Sequence, residues 1–95
     1  MKKRINVTAR DAKLGDRYDP SKCPVARAMT RAFREDIRVG YGCVWRRGSE
    51  HVVCYLPQGV AHALRRFDRT GKIEPFSFVV EMEVKRGVRT RKENP

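Results

Sequence analysis

The chain has 95 residues, of which 40% are hydrophobic, and this suits one folded domain with a modest core rather than a disordered chain. The formal net charge of +11 makes a polyanionic partner plausible. No apolar run approaches the roughly 18 residues of a membrane span, and polar residues follow the basic start where a secretory signal would be apolar, so neither membrane insertion nor export is expected.

The excess positive charge lies mainly at the two ends of the chain. Residues 1–4 contribute three positive charges and residues 85–95 a net four, whereas residues 5–84 hold 14 basic and 10 acidic side chains. We therefore divide the chain into a basic N-terminal tail (1–4), one α+β domain (5–84) and a basic flexible C-terminal tail (85–95). Such tails often contact polyanions, although they can also serve solubility alone.

Two short elements are predicted at the start of the domain. Ile5 and Val7 alternate with polar residues, which indicates a first strand. Thr8 and Asp11 have the spacing of a capping box, which predicts a short helix or turn that ends at Gly15.

The first long helix is predicted to begin near Cys23 and Pro24, because proline suits the first helical turn. A second face of this helix carries Arg27, Arg31 and Arg34, whose like charges repel at this spacing. An anion would relieve that repulsion, although a solvated charged face is a common arrangement. The apolar stripe of the helix consists of Val25, Ala28, Met29, Ala32 and Phe33.

Residues 37–56 are predicted to form a β-hairpin. Apolar residues occupy alternate positions up to Trp45, the return arm 51–56 is rich in β-branched and aromatic residues, and Gly48 lies in the connection. An isolated hairpin is only marginally stable in water, so we expect helices to cover it.

A second helix is predicted after Pro57, and Gly71 is placed to end it. Arg65, Arg66 and Arg69 crowd its final turns, where the helix dipole alone explains them. Its apolar stripe consists of Val60, Ala63, Leu64 and Phe67. Residues 76–84 then alternate regularly between apolar and other side chains, which predicts the last strand.

The resulting order, β-α-β-β-α-β, predicts a ferredoxin-like two-layer sandwich. This α+β fold has one four-stranded antiparallel sheet with two helices on one face. The main alternative is a three-stranded sheet with a displaced first strand.

Patterns for catalysis and metal binding are weak. Neither His51 nor His62 belongs to a recognisable catalytic arrangement, and no serine or cysteine lies in a nucleophile elbow, so we expect a protein that is not an enzyme. His51 and Cys54 would point to opposite faces of a strand, which argues against a shared zinc ion. The three cysteines, without a C-x-x-C pair, indicate reduced thiols in an intracellular protein. We expect no metal and no cofactor.

Nucleic acid is the partner that the hairpin favours most. Its return arm lacks the glycine and aromatic residues of an RNA-recognition motif, so that module is disfavoured. Aromatic residues interleaved with arginine nevertheless suit base stacking with phosphate contacts, although a tryptophan here is also a usual packing residue. The predicted nucleic-acid-binding residues are Arg38, Trp45, Arg46 and Arg47 on the hairpin, with Arg27, Arg31 and Arg34 as a second patch.

Four short patterns resemble the small uncharacterised proteins encoded by bacteriophages and prophages. The patterns are Cys23-Pro24-Val25-Ala26-x-Ala28, Val39-Gly40, Phe67-Asp68-x-x-Gly71 and Pro75-Phe76-x-Phe78. The resemblance implies an accessory protein in the cytoplasm of a host bacterial cell, and it brings no activity or binding residues with it. Proteins of this kind include nucleic-acid binders and inhibitors of host defence.

Together these observations lead us to expect a small basic phage-type accessory protein that binds nucleic acid or a nucleotide through arginine-rich surfaces. The alternative is a protein-binding inhibitor of a host bacterial complex, with an anti-defence role of the anti-CRISPR kind. A third hypothesis is a protein that sequesters a nucleotide signal.

Overall fold

The computed structural model of the protein describes residues 2–82, which form five strands and three helices. The strands are β1 (Lys2–Val7), β2 (Ile37–Val39), β3 (Cys43–Arg46), β4 (Val52–Tyr55) and β5 (Phe76–Glu81). The helices are α1 (Ala9–Leu14), α2 (Pro24–Phe33) and α3 (Gln58–Thr70).

The strands pair in two separate antiparallel sheets. β1 pairs with β5 in a two-stranded ribbon, from Lys2 opposite Glu81 to Val7 opposite Phe76. β2, β3 and β4 follow one another in a three-stranded meander.

The prediction of a ferredoxin-like sandwich with one four-stranded sheet and two helices is therefore wrong. The predicted first arm of the hairpin is two strands, because the chain reverses at residues 40–42, where the Gly40 amide donates to the Cys43 carbonyl at 2.9 Å. A side chain at Gly40 would lie 3.4 Å from the Trp45 ring, so the turn packs closely against that ring. The meander is complete without the last strand, and β5 pairs with β1 instead.

One continuous apolar core joins the two sheets. The predicted stripe of α2 is confirmed, since Val25, Ala28 and Met29 are buried and Ala32 and Phe33 are partly buried against them. The other large contributors come from both sheets and from α3; they are Ile5, Val7, Ile37, Val44, Leu64, Phe78 and Val80.

The predicted helix ends are also confirmed. Thr8 and Asp11 form both hydrogen bonds of a capping box at the start of α1, at 3.0 and 3.1 Å. Cys23 is the N-cap of α2, where its Sγ accepts the Ala26 amide at 3.4 Å. Gly71 ends α3 with φ of 76°, a left-handed conformation that glycine adopts readily.

The basic residues at the start of the chain belong to a strand. Lys2, Lys3 and Arg4, which the charge distribution assigns to a tail, form the first half of β1 and pair with β5. The predicted C-terminal tail, residues 85–95, lies outside the described residues, as does the end of the predicted last strand at Val84.

Candidate binding cleft

Two of the three arginines predicted as a patch on α2 share a carboxylate of the same chain. Arg31 makes a bidentate contact with Asp11, at 2.9 Å to Oδ1 and 2.7 Å to Oδ2. Nε of Arg27 lies 3.4 Å from the same carboxylate. Arg34 is exposed at the C-cap of α2, without an ion pair among residues 2–82. Asp11 is thus the anion that relieves the repulsion along this helix face.

The Asp11 carboxylate is fully buried, and its surroundings keep it ionised. Burial by itself raises its pKa, but hydrogen bonds from Arg31 and from Thr8, together with the charge of Arg31, outweigh burial and lower the pKa to about 2. The arginine pair therefore ties α1 to α2 and is engaged in holding the fold.

The arginines predicted on the hairpin also face carboxylates. Nε of Arg46 lies 2.6 Å from Glu35, in the segment that follows α2. Arg38 and Arg47 each approach Oδ2 of Asp36 at 3.5 Å. Glu35 and Asp36 thus offset much of the positive charge that the hairpin presents.

Trp45, the remaining predicted residue, lines a cleft of about 200 Å³. The cleft lies where the loop before α2, the β2–β3 turn and α3 meet. Its walls are largely apolar, and Asp19 and Asp68 are among the residues that line it. The residues that give the cleft its chemistry are Tyr18, Tyr41, Trp45, Asp19 and Asp68.

Asp68 holds the three segments of the cleft together. Its side chain is only 6% exposed, and Oδ1 accepts the Tyr18 amide at 2.8 Å, while Oδ2 accepts the Tyr41 hydroxyl. The hydrogen bond to Asp68, followed by desolvation, raises the pKa of Tyr41 to about 12. One carboxylate of α3 thereby fixes both the loop before α2 and the β2–β3 turn.

Tyr18 lines the cleft, and Arg17 lies beside it. Arg17 donates from Nε to the Asp68 carbonyl at 2.7 Å and from Nη2 to the Arg69 carbonyl at 2.9 Å, so that it caps the last turn of α3. The Tyr18 ring is 66% exposed, and its backbone has φ of 58°, which is rare for a bulky residue. The guanidinium carbon of Arg17 lies 5.9 Å from the centroid of that ring.

Arg65 makes a similar contact with Tyr41, another residue that lines the cleft. Its guanidinium carbon lies 5.4 Å from the centroid of the Tyr41 ring, a cation–π contact at the surface. Two exposed aromatic rings that line the cleft therefore each have a guanidinium nearby.

Sequence patterns identified Trp45 but missed Asp68, Arg17, Tyr18 and Arg65. The one usable indication was Asp68, which follows Leu64 by four residues and so places a carboxylate on the apolar stripe of a helix. The positive φ of Tyr18 and the capping role of Arg17 depend on tertiary contacts that no local pattern encodes.

Among residues 2–82, the cleft has neither an activated cysteine nor a cluster of metal ligands. Cys23 lines the cleft. Burial raises the pKa of its thiol, so the thiolate is disfavoured near neutral pH. Within residues 2–82, no group of three or more histidine, cysteine, aspartate or glutamate side chains could hold a metal ion.

Comparisons with known proteins return no matching family, no matching curated protein and no matching solved structure. The resemblance to small phage proteins therefore stays a prediction. Among residues 2–82, no helix combines the length and the apolar character that a bilayer crossing requires.

Proposed function

We propose that this protein binds nucleic acid or a nucleotide, without catalysing a reaction, through the cleft between α3 and the β2–β3 turn. The observation that carries the proposal is the pairing of Tyr18 with Arg17 and of Tyr41 with Arg65 at the mouth of an aromatic cleft. Exposed rings beside guanidinium groups suit base stacking together with phosphate contacts.

The distribution of charge supports this location over the predicted patches. Arg31 is hydrogen-bonded to Asp11, Arg27 lies beside the same carboxylate, and Arg38, Arg46 and Arg47 face Glu35 or Asp36. In contrast, Arg65, Arg66 and Arg69 lie exposed on α3, without an ion pair among residues 2–82. Phosphate contact is accordingly expected along α3, and the hairpin arginines are expected to contribute less.

Fluorescence anisotropy of a labelled single-stranded oligonucleotide tests the proposal. Tyr18→Ala should weaken binding about tenfold, since stacking on one ring contributes roughly 1–3 kcal/mol. Tyr55→Ala is the matched control, because Tyr55 is similarly exposed, at 72%, but belongs to β4 and does not line the cleft. The affinity should also fall steeply as salt rises.

A second pair of variants separates the α3 arginines from general positive charge. Arg65→Ala should weaken binding several-fold, whereas Lys13→Ala, on the exposed face of α1, should change it less than twofold. Failure of any oligonucleotide to bind at low salt, or equal losses in the two variants, would overturn the proposal.

A second candidate function is docking on a host bacterial protein, as an anti-defence inhibitor would do. Its support is the exposed Tyr55 on β4, an outer strand of the meander that could accept an added strand. Capture of a partner from bacterial lysate that survives nuclease treatment and is lost in Tyr55→Ala would favour this candidate, with Tyr18→Ala as the control.

We further propose that the protein acts in the bacterial cytoplasm, as the phage resemblance implies. The supporting observation is that Cys23, Cys43 and Cys54 are all free thiols, a state that a reducing compartment maintains.

Co-purification of a small nucleotide with the protein would favour the third hypothesis, that the protein sequesters a nucleotide signal.

A further inference from the structure

The ribbon of β1 and β5 presents a polar outer face, away from the core. Alternate residues of a strand point to the same side, and one set of alternate residues in the ribbon is buried; it consists of Ile5, Val7, Phe78 and Val80. Helix α2 packs against β1. The other set is exposed throughout and forms the outer face; its cross-strand pairs are Lys2 with Glu81, Arg4 with Val79, and Asn6 with Ser77.

The side chains of this outer face are of the types that contact base edges in DNA. Arg4 donates from Nη1 to the Ser77 hydroxyl at 3.1 Å, which places its guanidinium beside the pair of Asn6 and Ser77. In the major groove, arginine and asparagine form paired hydrogen bonds with guanine and adenine, and apolar side chains contact the thymine methyl group. Arg4, Asn6 and the exposed Val79 supply one side chain of each type.

The dimensions of the ribbon match the major groove of B-form DNA. Each strand has six residues, which gives a length of about 20 Å, and the sheet is two strands wide among residues 2–82. The groove is about 12 Å wide and admits a two-stranded ribbon. A length of about 20 Å corresponds to roughly six base pairs.

The strand pairing also joins two basic blocks that lie at opposite ends of the sequence. Lys2 lies opposite Glu81, so the start of β1 and the end of β5 are at the same end of the ribbon. Residues 85–95, with a net charge of +4, begin four residues after Glu81 in the chain. Glu81 offsets part of the charge of Lys2, but the two blocks together still favour attraction to a phosphate backbone.

We propose that the ribbon places its outer face in the major groove of double-stranded DNA, where Arg4 and Asn6 contact base edges. This inference goes beyond the proposed function, because it assigns a second surface and a second form of nucleic acid. No residue of the outer face lines the cleft, so the two surfaces can be tested separately.

Three duplexes of one sequence test the inference with the wild-type protein. They are DNA, the corresponding RNA, and DNA whose cytosines carry glucosylated hydroxymethyl groups, which project into the major groove. The RNA duplex has a deep, narrow major groove and the glucose groups obstruct that of DNA, so plain DNA should bind about tenfold more tightly than either. Equal affinity for the three duplexes would overturn the inference, because attraction to phosphate alone does not depend on access to the groove.

Arg4→Ala and Asn6→Ala provide the second measurement. Each should weaken binding of the plain DNA duplex about tenfold, and each should change binding of a single-stranded oligonucleotide less than twofold, because the cleft is untouched. Lys13→Ala, which removes an exposed positive charge from α1, is the control and should change duplex binding less than twofold. Equal losses in Arg4→Ala and Lys13→Ala would overturn the inference.

Tyr18→Ala separates this inference from the proposed function. It should weaken binding of the single strand and leave binding of the duplex unchanged. Loss of duplex binding in Tyr18→Ala but not in Arg4→Ala would assign the duplex to the cleft and overturn the inference. Duplex binding that depends on Arg4, without any binding of single strands, would support the inference and overturn the proposed function.

Discussion

Asp68 and Asp11 are the two buried carboxylates among residues 2–82, and each connects segments that are distant in sequence. Asp68 accepts hydrogen bonds from Tyr18 and Tyr41, and Asp11 binds Arg31. A buried carboxylate that lost its partners would carry a large desolvation cost, so each partner is held firmly. At the scale of the residue, Asp11 holds Arg31 in an ion pair, and Asp68 fixes the positions of Tyr18 and Tyr41.

The first prediction concerns Asp11. Its pKa in the folded protein, about 2, lies below its ordinary value of 3.8, so its contribution to stability is fully present above about pH 5 and is lost as the pH falls toward 2. The free energy of unfolding, measured by urea titration at several pH values, should lose about 2 kcal/mol over that range through this group.

Asp11→Asn should remove that component of the pH dependence, and Arg31→Ala should reduce it. Arg10→Ala is the control, because Arg10 is an exposed arginine of α1 without an ion pair among residues 2–82. An unchanged pH dependence in Asp11→Asn would contradict the assignment.

The second prediction concerns Tyr41. The hydrogen bond to Asp68 raises its pKa from the ordinary 10.0 to about 12, so the stability that it contributes is present below pH 10 and is lost as the pH rises toward 12. Alkaline titration of tyrosinate absorbance should show this late transition, and Tyr41→Phe identifies it by difference. Asp68→Asn should move the midpoint of Tyr41 back toward 10; a midpoint that stays near 12 would show that the carboxylate is not its cause.

At the scale of the element, α3 offers a matched pair of glycines for the third prediction. Gly71→Ala should lower the free energy of unfolding by about 1 kcal/mol, because φ of 76° is unfavourable for any residue with a side chain. Gly59→Ala should leave stability unchanged or raise it by up to about 1 kcal/mol, because Gly59 is helical and open space surrounds the added methyl group. Urea titration of both variants measures this contrast, and equal effects would contradict it.

The helices were predictable because the information that specifies them is local. Each helix-end signal acts within one helical turn; these signals are the capping box at Thr8, the proline after Cys23 and the glycine at 71. The apolar stripes follow from helical spacing. Strand partners were not predictable in the same way. The alternating pattern of residues 37–46 continues through the turn at Gly40, so the pattern alone could not reveal two strands.

The candidate site was only partly predictable for a related reason. A sequence shows where its arginines are, but not which carboxylate each of them will pair with. Arg31, for example, pairs with Asp11, twenty positions earlier in the chain. The cleft requires Tyr18, Tyr41 and Asp68 to meet from three separate segments. Trp45, which the sequence predicts, lines this cleft, but its neighbours there depend on how α3 meets the loop before α2 and the β2–β3 turn.

At the scale of the whole molecule, the shared core predicts that the ribbon and the meander unfold together. Ile5 lies in β1 and is fully buried, whereas Trp45, the single tryptophan, lies in β3. Ile5→Val should lower the free energy of unfolding by about 1 kcal/mol. The shift should be the same whether unfolding is followed by Trp45 fluorescence or by far-ultraviolet circular dichroism. A fluorescence transition that does not move would show that the two sheets unfold independently.

The pairing of Lys2 with Glu81 has a consequence for synthesis on the ribosome. The strands of the meander can begin to pair once residues 37–55 have emerged, because their contacts are close in sequence. Of the five strands among residues 2–82, β1 emerges first and its partner β5 emerges last, so the backbone groups of β1 stay hydrated until β5 has been made. Closure of the ribbon therefore follows the emergence of the meander strands, and a ribosome that stalled before β5 was made would hold a first strand still open to other chains.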